Sequence, residues 1–122
     1  MKALIAGLAL LATAANAEDS ISKTYSACME KSGGVTPVMQ DCIGAEHEVQ
    51  DRRLNAAYKA LNAASDEKRK AAIRDAQRKW IAFRDANCSL YDDGGSAGRI
   101  AANECLLRHT ARRADELENL KD

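Results

Sequence analysis

The stretch CSLYDDGGSAGRIAANEC, residues 88–105, decides the fold of this chain. Its centre, from Asp92 to Gly98, is the strongest helix breaker in the sequence, because glycines cluster there directly behind two aspartates. Helix-forming residues continue on both sides. The breaker therefore predicts a turn between two helices. One cysteine lies six residues before Gly94 and another seven residues after Gly98.

The cysteines predict two disulfides. Residues equally far from a turn lie at the same height in an antiparallel helical hairpin, so Cys88 and Cys105 are placed to bond. A second breaker, Ser32-Gly33-Gly34, separates Cys28 from Cys42 in the same way. Of the three pairings that four cysteines allow, the local one is therefore favoured. Zinc is the competing interpretation, but successive cysteines lie farther apart than the close pairs typical of zinc ligands.

The composition predicts an all-α chain, because Ala, Leu, Glu, Lys, Arg and Gln dominate it and its single proline is Pro37. Thr36 and Ser65 are expected to act as N-caps. We predict four helices: about Ser20 to Lys31, Thr36-Pro37 to about Ala64, Ser65 to Leu90 or Tyr91, and about Arg99 to Leu120. The expected fold is a disulfide-stapled antiparallel bundle of about four helices in one domain.

The first residues, Met1 to Ala17, have the layout of a secretory signal peptide, with a positive start, an apolar run and a small-residue exit at Ala15-Asn16-Ala17. The run is shorter than the roughly 20 residues of a membrane-spanning helix. We therefore expect cleavage near Ala17 and a periplasmic or secreted mature chain, residues 18–122, with no membrane span. Since 18 Lys and Arg balance 18 Asp and Glu in the whole chain, losing Lys2 leaves a near-neutral protein. That balance argues against nucleic-acid binding.

Polar side chains fall on the faces where the second and third helices would meet. If these helices form an antiparallel hairpin, Glu46 lies level with Arg84, and Asn55 lies near the level of Gln77. We predict a Glu46 to Arg84 ion pair with Asn55 and Gln77 hydrogen-bonded nearby, because an unpaired buried charge costs several kcal/mol. Tyr91 falls on the same inner stripe of the third helix. The alternative, that these residues only lie at the border of a narrow core, stays open.

The usual catalytic patterns are missing from the sequence. His47 lies between two glutamates and outside any H-E-x-x-H pattern, and His109 lies on a face typical of solvent exposure. The glycines at 94, 95 and 98 follow no strand, as a dinucleotide site would require. Asp92 and Asp93 are adjacent on a turn and cannot flank a substrate. We expect a protein that is not an enzyme and that holds neither a metal nor a cofactor.

Four motifs occur in a fixed order along the chain. They are L-N-x-x-Y at residues 54–58, Q-x-x-W-x-x-F-R-D-x-x-C at residues 77–88, the Gly94-Gly95-Ser96 turn, and C-x4-T-x2-R-x3-L at residues 105–117. Together they resemble the LprI-type lysozyme inhibitor domain, a bacterial secreted family. The resemblance covers about Cys28 to Leu117. It implies an all-helical, disulfide-bonded envelope protein that inhibits lysozyme by direct binding.

Two functions follow as hypotheses. In the first, the glycine-rich loop from Asp92 to Gly98 blocks a lysozyme-type glycosidase. Its expected partner-binding residues are Asp92, Asp93, Gly94, Gly95 and Ser96. The loop is glycine-rich and is clamped by the expected Cys88–Cys105 bond, and its aspartates suit a basic enzyme surface. An ordinary solvated turn would have the same sequence. In the second, the protein has a structural or assembly role in the cell envelope, where an exposed helix face binds another envelope protein.

Overall fold

The computed structural model describes residues 20–120. It contains four helices, α1 (Lys23–Lys31), α2 (Thr36–Ala63), α3 (Glu67–Ser89) and α4 (Ser96–Asn119), and no strand occurs in that range. Disulfides join Cys28 to Cys42 and Cys88 to Cys105. The predicted all-α, doubly stapled bundle is confirmed. The predicted signal peptide, Met1 to Ala17, lies outside the described residues.

The caps of α1 and α3 are side chains that satisfy otherwise unpaired backbone donors. The hydroxyl of Ser22 accepts from the backbone N–H of Tyr25, so α1 begins after Ser22 rather than at Ser20. Asp66 accepts from the N–H of Arg69 at 2.8 Å and is the cap of α3. The prediction that Ser65 caps this helix is wrong, because its hydroxyl donates to the preceding helix at Leu61 O.

The starts of α2 and α4 have no side-chain cap. Val35 is the N-cap residue of α2, so the prediction that Thr36 caps this helix is wrong. Pro37 lies in the first turn, where its missing N–H costs no hydrogen bond. Gly95 precedes α4, which begins at Ser96 and so takes in residues that the sequence assigned to the breaker. A helix can start there because positive φ is confined to Gly94 in this turn.

The long helices α2 and α4 lie against each other and form the centre of the bundle. The short α1 packs on α2, and α3 packs mainly on α4, touching α2 little. The prediction that α2 and α3 form an antiparallel hairpin, with facing residues at equal heights, is therefore wrong. Helix α4 occupies the face of α2 that the sequence had assigned to α3.

Two apolar clusters form the core. One lies towards the α2–α3 turn and contains Leu54, Ala57, Leu61, Ile73, Ala114 and Leu117. The other lies where α1, α2 and α4 meet and contains Tyr25, Cys42, Ile43 and Leu107. Leu107 is fully enclosed, with 0% of its surface exposed. Helix α3 contributes little to either cluster, since Ile73 and Cys88 are its only buried residues.

The buried carboxylate of Glu46 has partners other than the one predicted. It accepts from the backbone N–H of Ser22 at 2.9 Å, from the Ser22 hydroxyl, and from Nε2 of Gln50 at 2.9 Å. These bonds tie the start of α1 to the middle of α2. Across residues 20–120 Glu46 and Arg84 form no ion pair with each other, so that prediction is wrong. The reason is that the Glu46 carboxylate faces the start of α1, where it accepts from Ser22.

The other members of the predicted polar network also separate. Arg84 donates to Thr110 Oγ1 at 3.2 Å, and Gln77 accepts from Nε of Arg113 at 3.0 Å. Both bonds join α3 to α4. Asn55 is exposed on α2. The buried polar residues therefore attach α1 to α2 and α3 to α4, where the sequence predicted one seam between α2 and α3.

Trp80 holds α3 on α4 with the help of two arginines. The guanidinium of Arg84 lies 5.0 Å from its ring centroid, and that of Arg113 lies 5.8 Å away. Both distances fall within the range of cation–π attraction. The ring of Trp80 thus packs against the two arginines whose hydrogen bonds to Thr110 and Gln77 join α3 to α4.

Candidate functional site

The 90–96 loop joins α3 to α4 and ends at Ser96, the first residue of α4. Both predicted aspartates fold this loop on itself. Asp92 accepts from the backbone N–H of Gly94 at 3.0 Å, and Asp93 accepts from that of Gly95 at 2.9 Å. Gly94 adopts φ of 86°, which a side chain would disfavour. The Gly94 carbonyl accepts from Nη1 of Arg99 at 3.0 Å. The exposed loop is therefore ordered by local bonds as well as by the Cys88–Cys105 disulfide at its base.

Gly98, in the first turn of α4, is a position where only glycine fits. A Cβ there would overlap the Asp93 carboxylate and would lie 2.9 Å from the Asp93 backbone nitrogen. Asp93 can fold over the start of α4 only because this space is free. Its negative charge there complements the positive end of the helix dipole.

A matched pair of glycine substitutions tests this loop geometry. Gly98→Ala is expected to lower the free energy of unfolding by about 1–3 kcal/mol through overpacking. Gly44→Ala, in the interior of α2 with nothing within 4 Å of the new methyl group, is expected to raise it by up to about 1 kcal/mol. Urea unfolding followed by circular dichroism measures both. A neutral or stabilising Gly98→Ala would contradict the contact with Asp93.

Apolar side chains at the start of the loop and on α3 are the part of the site that the sequence did not predict. Leu90 is 83% exposed, Tyr91 55% and Phe83 59%. Tyr91 was expected on the inner stripe of α3, and that prediction is wrong because α3 ends at Ser89. Large exposed apolar residues next to a charged loop are typical of binding surfaces. The predicted loop residues, Asp92 to Ser96, therefore lie together with an apolar edge.

A shallow cavity of about 280 Å³ opens beside Tyr91, where the end of α3 faces α4. Its remaining lining comes from α4: Ala101, Glu104, Cys105, Arg108, His109 and Arg112. The ring of Phe83 meets that of His109 edge-on, with centroids 6.0 Å apart. The Glu104 carboxylate accepts from the Tyr25 hydroxyl at 2.8 Å. Burial raises the pKa of Tyr25, and this hydrogen bond raises it further.

Both histidines line cavities, and the surroundings of each favour the uncharged form of its ring. Burial lowers the pKa of His47, and the nearby Arg84 lowers it further. Burial likewise lowers the pKa of His109, with Arg112 and Arg84 adding to the effect. The lining of neither cavity includes a serine or a free cysteine. No nucleophile of the kind that a serine or cysteine triad requires accompanies either base.

The histidines predict a loss of stability in mild acid. Their folded pKa values lie below the ordinary value of about 6.5, so below pH 6.5 the unfolded chain binds more protons. Their contribution to stability is complete above that pH and is lost as the pH falls through the folded pKa values. An NMR titration should place both midpoints below about 6.5, and Arg84→Gln should raise both. Midpoints at or above that value would contradict these environments.

Cys88, Cys105 and His109 place three potential metal-binding atoms within 4.8 Å of one another. Both sulfur atoms belong to the disulfide, so neither is available as the thiolate that binds a metal. The cluster instead stabilises the base of the loop. Asn87 adds to it through a contact of 3.4 Å between its Nδ2 and Nε2 of His109.

Comparison with known proteins places these features in a family. The model of the family described as "Lysozyme inhibitor LprI" matches residues 13–117. An uncharacterized protein of Rhizobium meliloti (strain 1021) is 29% identical over 97 residues, covering 66% of this chain and 70% of its own length. No solved structure gives a significant match. Among residues 20–120, no helix has the length and apolar character to cross a membrane. The chain belongs to the LprI lysozyme inhibitor family.

Proposed function

We propose that this protein is an exported inhibitor that binds a lysozyme-type glycosidase directly. The observation that carries the proposal is the exposed, disulfide-clamped loop of residues 90–96 in a chain of this family. The expected signal peptide, with cleavage near Ala17, supports a periplasmic or secreted location. Such a location brings the protein to the cell wall, the substrate of these enzymes.

The loop suits this role for three physical reasons. The Cys88–Cys105 disulfide and the Asp92 and Asp93 hydrogen bonds order it before binding, which reduces the entropy lost in a complex. Leu90 and Tyr91 supply apolar area that contact with a partner would bury. The aspartates supply negative charge for a basic enzyme surface.

Lysozyme-type glycosidases of the retaining kind hold two carboxyl groups about 5–5.5 Å apart, flanking the scissile bond. A sugar chain must lie between these groups for hydrolysis to occur. A compact loop bound across that cleft would exclude the chain without any chemistry of its own. The proposal therefore requires binding alone.

The test is the activity of a c-type lysozyme on cell walls with increasing amounts of the purified mature protein, residues 18–122. We expect inhibition that saturates with the protein concentration. The double variant Asp92→Asn/Asp93→Asn keeps the loop's acceptor oxygens and removes its charge, so it should inhibit less at low salt. Asp41→Asn, at an exposed position on α2, is the matched control. No inhibition at high micromolar protein would refute the proposal.

A structural or assembly role in the envelope is the second candidate, and one observation favours it. Helix α3 exposes Ile81 (41%) and Phe83 (59%) and buries few residues of its own. Such a helix face can bind a second copy or another envelope protein. Light scattering and pull-down from envelope extracts distinguish this role from inhibition. A strictly monomeric protein that recovers no partner would count against it.

A further inference from the structure

The cavity beside Tyr91 contains two arginines one helical turn apart on α4. Arg108 is partly buried and Arg112 is exposed, and both line the cavity. Within residues 20–120, neither guanidinium forms a hydrogen bond or an ion pair. Two other arginines at the α3–α4 contact have such a partner: Arg84 donates to Thr110, and Arg113 donates to Gln77.

The natural partner of Arg108 is Glu104, four residues earlier on the same helix face. Its carboxylate is engaged elsewhere, because it accepts the hydroxyl of Tyr25 at 2.8 Å. The cavity is therefore left with two positive charges against one carboxylate that is already bonded. Among residues 20–120 no buried side-chain nitrogen or oxygen lacks a partner, so both guanidinium groups reach solvent. Their N–H groups are therefore available to donate to an anionic ligand.

The rest of the lining indicates what else the ligand carries. Tyr91 offers a half-exposed aromatic face at the rim, and His109, held neutral, offers a ring nitrogen beside Asn87. An aromatic face surrounded by polar groups suits a sugar ring, whose C–H face is apolar and whose edge is hydroxylated. The volume of about 280 Å³ lies at the lower end for ligand sites. It suits a ligand of one ring.

We propose that this cavity binds a sugar that carries a carboxylate, with Arg108 and Arg112 on the carboxylate and Tyr91 stacked on the ring. A guanidinium donates two parallel hydrogen bonds to a carboxylate, which gives both strength and orientation. The site is open on one side, so the sugar can belong to a longer chain. This binding does not depend on inhibition of a glycosidase, and the two can fail separately.

Three probes separate the contributions of the ring and the carboxylate. N-acetylmuramic acid carries both, N-acetylglucosamine has the same ring without the carboxylate, and lactate has a carboxylate without the ring. We expect NMR titration of the mature protein to give a millimolar dissociation constant for N-acetylmuramic acid, at least about tenfold below those of the other two. The amide shifts should centre on Tyr91 and residues 101–112.

Variants then assign the site. Arg108→Ala/Arg112→Ala should weaken N-acetylmuramic acid binding at least about tenfold and leave the weak N-acetylglucosamine affinity unchanged. Arg78→Ala, at an exposed position on α3, is the matched control and should bind as the natural protein does. Circular dichroism confirms that each variant is folded. Equal affinities for all three probes, no shifts at 20 mM, or unchanged binding by the double variant would each overturn the proposal.

Discussion

Leu107→Ala is expected to lower the free energy of unfolding by about 2–5 kcal/mol. Leu107 has no exposed surface and fills the cluster where α1, α2 and α4 meet. Truncation there removes burial of an apolar side chain and leaves a cavity that long, stapled helices cannot easily close. Among single substitutions outside the disulfides, this one should have one of the largest effects on stability.

Leu90→Ala is the matched control for Leu107→Ala, because the chemical change is the same at a side chain that is 83% exposed. It should change stability by no more than about 0.5 kcal/mol. If the loop binds a glycosidase, Leu90→Ala should instead weaken inhibition. Urea unfolding and the lysozyme assay on both variants measure the two effects. Equal losses of stability would contradict the burial described here.

Removing the loop disulfide, with Cys88→Ala/Cys105→Ala, is expected to cost roughly 3 kcal/mol of stability, the chain-entropy value for a loop of about 15 residues. The two cysteines are 17 residues apart in sequence. The loss should also weaken inhibition, because the bond holds the base of the loop against α4. Thermal unfolding and the lysozyme assay together test both parts.

The other disulfide provides the control. Cys28→Ala/Cys42→Ala opens a loop of similar length, since these cysteines are 14 residues apart, and should cost a similar amount of stability. It joins α1 to α2, which places it in a different helical hairpin from the 90–96 loop. We expect this variant to keep its inhibition at temperatures where it remains folded. Inhibition that falls equally in both variants would show that the loop needs no local clamp.

The sequence predicted the features that depend on residues close together in the chain. Each disulfide spans one short turn between two helices. The position of the glycine-rich breaker and the similar distances of the cysteines from it were therefore sufficient to pair Cys28 with Cys42 and Cys88 with Cys105. The four helices were predicted because the helix-forming composition and the positions of the breakers indicate the same segments. Helix α4 begins at Ser96 rather than at about Arg99, because Asp93 orders the residues that follow Gly94.

The arrangement of the long helices could not be predicted in the same way. Periodicity identifies the inner face of a helix but not the helix that covers it. The sequence therefore paired Glu46 with Arg84, whereas its partners are Ser22 and Gln50. It also placed Asn55 inside the bundle, whereas this residue is exposed. An antiparallel α2–α3 hairpin is the simplest arrangement for a short turn, but it is α4 that packs along α2 and buries more residues than α3.

The candidate site was predicted in part. The turn between α3 and α4 is confirmed, and the partner-binding role of residues 92–96 stays a prediction. The apolar edge was not predicted, because Tyr91 was assigned to the inside of α3. The sequence does not single out Arg108 and Arg112, because Arg108 directly precedes His109 on a face typical of solvent exposure. Only the structure shows that the Glu104 carboxylate accepts from the hydroxyl of Tyr25. A distant contact of that kind leaves no local pattern in the sequence.

In the complex that we propose, the 90–96 loop forms the contact with the glycosidase. Hydrogen–deuterium exchange of the mature protein, with and without a c-type lysozyme, locates that contact. We expect slower exchange on binding in residues 90–96 and at the start of α4, with α1 and the exposed face of α2 unchanged. Slowing confined to α1 or α2, or no change at saturating lysozyme, would contradict it.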